Sequence, residues 1–133
     1  MAGKLLNSKG YNMSLEILIT ILMFLALEYI GDFIFQSRKM ASKKSHDIKW
    51  LLLHGLFIGL VLLPMLVYLP FPFILVYAAT HCIQDGLIWN IYKDIRCEDD
   101  INYWEDKLFY SFIGLDRTLH IICGITLIYI FTK

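Results

Sequence analysis

Cysteine is scarce in this chain, and its pattern excludes two common ways of holding a small protein together. The 133 residues include three cysteines, Cys82, Cys97 and Cys123. Their number is odd and no CxxC pair occurs, so neither a disulfide framework nor a zinc ribbon is expected. Cys82 and Cys123 fall in apolar stretches and read as small buried residues. Net charge is also missing. The 12 basic and 12 acidic side chains cancel, which removes any global attraction to nucleic acid. There is no Gly-rich phosphate loop, no GxSxG elbow, no internal repeat and no low-complexity tract.

Apolar residues, in contrast, are abundant. They make up 58% of the chain, and mean hydropathy is positive, above the usual range for a soluble domain. Four apolar segments are predicted to be helices, at about residues 14–35, 50–69, 71–92 and 108–131, each near the roughly 20 residues that cross a bilayer. The expected fold is all-α, a four-helix transmembrane bundle forming one domain over residues 1–133. Pro70 and Pro72 force a tight turn between the second and third helices, and Pro64 is predicted to kink the second. Asp47 is placed to cap the second helix, and Asn102 with Glu105 resembles a capping box for the fourth.

Lys4 and Lys9 precede the first apolar run as they would in a secretory signal. No small-x-small cleavage site follows, so the run reads as a retained membrane helix. Arg38, Lys39, Lys43, Lys44 and Lys49 crowd the first loop, and Lys93, Arg96 and Lys107 the third connection. The positive-inside rule places loops 36–49 and 93–107 in the cytoplasm and both termini outside, in a cell inner membrane. Trp50, Trp89, Tyr92 and Trp104 then fall at the cytoplasmic interface as an aromatic belt. The basic loop reads as ordinary topology signal, with attraction of anionic head groups as its functional reading. His46 reads as exposed, and Glu98-Asp99-Asp100 as a solvated loop.

Against this background, six hydrophilic residues stand out: Glu28 and Asp32, His81 and Asp85, Asp116 and His120. Each pair is spaced i, i+4 and so lies on one face of one helix. An Asp at a helix centre in hydrocarbon costs roughly 2.5–3.5 kcal/mol on insertion scales. Such groups persist by facing inward onto one another, a metal or water. His54, one turn into the second helix, joins them. Counted from the loop side, all fall at a similar depth, which predicts a single site. Imidazole with carboxylate suits zinc, iron or manganese, so Asp32, His54, His81, Asp85, Asp116 and His120 are the candidate ligands. Glu28 is the candidate general base. The spacing matches neither Glu-x-x-His nor His-Glu-x-x-His.

The order of these residues resembles the family of small bacterial and phage membrane proteins described as domain of unknown function 3307. The matching stretches are Glu28-Tyr29-Ile30-Gly31-Asp32-Phe33-Ile34-Phe35-Gln36, Leu51-Leu52-Leu53-His54, His81-Cys82-Ile83-Gln84-Asp85 and Asp116-Arg117-Thr118-Leu119-His120. Glu28 stands where that family tends to have His, and Arg117 where it tends to have Gln. The added negative and positive charges are expected to compensate. The resemblance implies a polytopic inner-membrane protein with a polar intramembrane site, and no activity.

The expected function is therefore intramembrane binding of a divalent metal, extended to metal-dependent hydrolysis of a lipid-like substrate. Two alternatives stand beside it. One is an oligomeric proton or ion conductor, as a homo-oligomer. The other is a structural membrane subunit whose polar cluster is interhelical hydrogen bonding.

Overall fold

The computed structural model describes residues 2–44, 47–96 and 105–133, with side chains from residue 15 onward except 38, 41 and 42. Cys97, Trp104, His46, the acidic run Glu98–Asp100 and Asn102 of the expected capping box lie outside the described residues. Among those described there are helices and no strands.

The chain runs through α1 (Ala2–Tyr29), α2 (Arg38–Lys43), α3 (Ile48–Val61), α4 (Phe71–Arg96) and α5 (Lys107–Phe131). α1, α3, α4 and α5 form a four-helix bundle: α3 and α5 flank α4, and α1 closes the ring against α3 and α5. The stretches Leu15–Ile34, Phe71–Arg96 and Lys107–Phe131 are each long and apolar enough to cross a membrane, and α3 is shorter. α3 ends because Pro64 has no N–H to continue the α pattern. The chain tightens into a 3-10 turn over Leu63–Val67. This replaces the kink expected within one longer helix. By helical rise, α3 and the 3-10 turn together extend about 30 Å.

Two ends are set locally. Asp47 caps α3 through its side chain, which accepts from the Lys49 amide at 2.9 Å, as its position predicts. α5 is capped by Asp106, whose Oδ1 accepts from the Leu108 amide at 3.0 Å. Asp106 also accepts from the Tyr92 hydroxyl at 2.6 Å and pairs with Arg96. Partial desolvation opposes ionisation of Asp106. The Tyr92, Arg96 and Leu108 donors outweigh it and hold the carboxyl below the usual carboxylate range. This network ties the end of α4 to the start of α5.

The interior divides into two halves. One is apolar and includes Phe24, Ile58, Leu62, Met65, Phe73, Tyr77 and Ile128. The other is polar: Glu28, Asp32, Lys44, His54, His81, Asp85, Asp116 and His120 are all buried. Phe24, Ile58, Tyr77 and Gly124 each lie four residues from Glu28, His54, His81 and His120 respectively. One turn of every helix therefore separates the polar layer from an apolar layer, on the side toward the α3–α4 hairpin. Large apolar side chains such as Leu18, Leu22, Leu52 and Ile122 face outward, which suits hydrocarbon and not water.

Candidate metal centre

The last turn of α1 widens into a π turn over Ile30–Ile34, closed by the Phe35 amide on the Ile30 carbonyl at 3.0 Å. Such turns insert an extra residue and commonly mark functional positions. Gly31 lets it approach α3, since a Cβ there would lie 2.9 Å from Ile58 Cδ1. The turn carries Asp32 toward α3 and α4.

Four ligand-type atoms converge at that point. Asp32 Oδ1 is 3.2 Å from His54 Nε2 and 3.8 Å from His81 Nε2. Asp85 Oδ2 is 3.3 Å and 3.7 Å from the same two nitrogens. The nitrogens are 3.1 Å apart. A divalent ion bound at about 2.0–2.1 Å in a tetrahedron separates its ligand atoms by roughly 3.3 Å. These five separations bracket that value, and Asp32, His54 and His81 form one compact group. Asp32 Oδ1 and Asp85 Oδ1 have no hydrogen-bond donor of proper geometry among the described residues. Leaving buried carboxylate oxygens without a donor is costly. The residue types and the spacing both fit a hard-to-borderline divalent cation.

A second set lies behind. His81 Nδ1 and His120 Nδ1 are 2.6 Å apart. His120 Nε2 is 3.0 Å from Asp116 Oδ1 and 3.5 Å from Asp85 Oδ1. The Trp89 indole N–H donates to Asp116 Oδ2 at 3.3 Å. The close Nδ1 pair holds one proton. If a neutral His81 gives Nε2 to an ion, its proton sits on Nδ1 and is donated to His120. His120 then carries its own proton on Nε2 and donates to Asp116. This tautomer assignment satisfies every ring nitrogen of both residues, and it is the outer-shell pattern that orients metal-bound histidines.

The structure thus gathers all seven residues singled out in the sequence, in three overlapping groups: Glu28, His81 and His120; Asp32, His54 and His81; Asp85, Asp116 and His120. Glu28 pairs with Arg117, which also lies 3.5 Å from Asp32 Oδ2 and over the Phe33 ring at 4.9 Å. The two charges expected to compensate each other are therefore ion-pair partners.

Lys44 was not among the candidates. The basic loop read as topology, yet its Nζ reaches Asp85 Oδ2 at 2.9 Å and Asp32 Oδ1 at 3.9 Å. Burial pulls the Lys44 pKa down, but the carboxylates of Asp85 and then Asp32 outweigh it and raise it above the usual lysine value. Gln36, assigned by its partners, donates to the Asp32 carbonyl at 2.7 Å and accepts from Lys44 Nζ at 3.1 Å. Trp89 and Tyr92, expected only as interface residues, carry hydrogen bonds to Asp116 and Asp106. Cys82 and Cys123 are free and half-buried, outside the ligand set.

An all-helical bundle with membrane-length helices and a buried histidine–carboxylate cluster defines the class. Residues 18–133 match the family model described as Protein of unknown function (DUF3307), and the chain belongs to that family. No curated protein and no solved structure matches it.

Proposed function

We propose that this is a multi-pass membrane protein that binds one divalent metal ion inside the bilayer, through Asp32, His54, His81 and Asp85. The observation that carries this reading is the close set of Asp32 Oδ1, His54 Nε2 and His81 Nε2, with Asp85 Oδ2 at 3.3 and 3.7 Å from the two nitrogens. Charge supports it independently. Four buried carboxylates, Glu28, Asp32, Asp85 and Asp116, face two cations, Lys44 and Arg117. With neutral imidazoles the cluster lacks two positive charges; one divalent ion supplies both if Lys44 stays, and lowers the deficit to one if Lys44 is displaced. Asp116 and His120 serve behind the ligands, and Glu28 serves as the partner of Arg117.

Zinc, iron and manganese all suit the donor set. Two imidazoles and two carboxylates fill a tetrahedral shell, whereas hydrolytic sites keep a position open for water. The geometry therefore favours holding an ion over metal-dependent hydrolysis of a lipid-like substrate. The basic residues at the α2 end support a cytoplasmic location for that end, with both termini outside.

Proton handling is the second reading. Two protons would close the same charge deficit, and the contacts His54–His81–His120–Asp116 form an unbroken chain of exchangeable groups. That chain runs across the bundle, from α3 to α4 to α5. The layer of Phe24, Ile58 and Tyr77 blocks continuation along the bundle axis, which argues against conduction through a single chain.

Elemental analysis of protein purified in mild detergent separates the two. The metal reading expects close to one transition-metal ion per chain, lost in folded His54→Ala and His81→Ala. A metal-free wild type that stays so after loading with zinc, iron or manganese would leave proton handling or structural hydrogen bonding.

A further inference from the structure

Lys44 is the one described cation that touches two of the proposed ligands. It caps the C-terminus of α2, a helix of six residues whose N-terminus is capped by Ser37, with the Ser37 Oγ accepting from the Met40 amide at 3.1 Å. α2 is docked on the bundle by the buried Met40 and by Lys39 and Lys43 over the Trp50 ring, at 5.4 and 5.8 Å. The docked helix delivers an ammonium with 8% of its side chain exposed to Asp85 Oδ2 and Asp32 Oδ1.

An ion bonded to Asp85 Oδ2 at about 2.1 Å would lie within roughly 5 Å of an ammonium 2.9 Å from the same oxygen. Both cations then draw on the same two carboxylates while repelling each other at close range and low dielectric. Of the two, the ammonium can leave. Its stem is flexible, its charge hydrates strongly, and it sits on the short segment that joins α1 to α3. Arg117, held by Glu28 and by aromatic faces, has no such freedom.

We infer that Lys44 is an internal competitor of the divalent ion at Asp32 and Asp85, so that ion binding and α2 docking oppose each other. The inference rests on the metal reading above. It gives the site an output: occupancy is reported as release of α2 at the loop end of the bundle. Linkage makes the effect reciprocal. Whatever removes the ammonium tightens the ion, and the ion loosens α2 by the same factor.

The test uses the full chain in mild detergent with zinc as the probe, competed against a chromophoric chelator. Lys44→Met is expected to bind zinc at least tenfold more tightly than wild type, and Lys44→Arg, which keeps the charge, no more tightly. In wild type, zinc is expected to speed hydrogen exchange of the α2 amides and of the Lys44 cap amide, which donates to the Met40 carbonyl at 2.9 Å. This second measurement decides the matter if Lys44→Met does not fold. Equal or weaker binding by folded Lys44→Met, or α2 exchange unchanged or slowed by zinc, would overturn the competition and leave the metal site standing. A wild type that takes up no zinc would overturn both.

Discussion

Asp85→Asn is expected to weaken divalent-ion binding by more than 100-fold, while Asp116→Asn weakens it by only 10–100-fold. The two residues are both buried carboxylates within reach of His120, so burial and charge alone would make them equivalent. Geometry separates them. Asp85 Oδ2 lies 3.3 and 3.7 Å from the two Nε2 atoms that face the ion position. Asp116 lies behind the ligands, with His120 Nε2 between its Oδ1, at 3.0 Å, and Asp85 Oδ1, at 3.5 Å. Removing a partner behind a ligand costs 10–100-fold in affinity, and removing a ligand costs more. Asparagine keeps the shape and one acceptor for Lys44 while taking the charge away, so the comparison tests coordination and not packing. Chelator competition on the two purified variants checks it. Equal losses would mean that the second set, Asp85, Asp116 and His120, holds the ion.

Gly124→Ala is expected to destabilise the bundle by about 2 kcal/mol, against a change of at most about 1 kcal/mol in the stabilising direction for Gly114→Ala. Alanine is the better helix former by about 1 kcal/mol, and at Gly114 nothing lies within 4 Å of an added Cβ. At Gly124 the added Cβ would fall on the edge of the Phe24 ring. That ring is fully buried, with Tyr77 edge-on at 5.0 Å and Phe73 at 6.4 Å. It has nowhere to go, and overpacking of this kind costs typically 1–3 kcal/mol, sometimes more. Because Phe24 and Gly124 lie one turn from Glu28 and His120, the strain falls on the layer that seals the polar site. Thermal unfolding of both variants in one detergent measures the contrast. A stable Gly124→Ala protein would show that α1 and α5 do not pack as closely as described.

The polar cluster was largely legible in the sequence because hydrophobic surroundings make polar residues conspicuous. Glu28, Asp32, His81, Asp85, Asp116 and His120 announce themselves by i, i+4 spacing in apolar helices, and the structure brings them together with His54. Their division into inner and outer sets was not legible. It depends on which ring nitrogen faces which neighbour, and spacing says nothing of that. Lys44 was hidden for another reason. A positive-inside loop explains every lysine in it equally well, and six residues of α2 are too few to show a periodicity. The π turn that aims Asp32 leaves no mark in composition. Pro64 signalled a disturbance of the second helix, and the local hydrogen-bond pattern decided that it would be a change to 3-10 geometry. Glu28 and Arg117 were legible as mutually compensating charges through the family resemblance, and the intramembrane position of Arg117 already suggested an acidic partner.

X-ray absorption of the zinc-loaded protein tests the central claim most directly. Four nitrogen or oxygen neighbours at about 2.0–2.1 Å, with the outer-shell scattering of two imidazole rings, is the predicted result. A shell containing sulfur at about 2.3 Å, or an oxygen-only shell without imidazole scattering, would place the ion elsewhere and contradict a site made by Asp32, His54, His81 and Asp85.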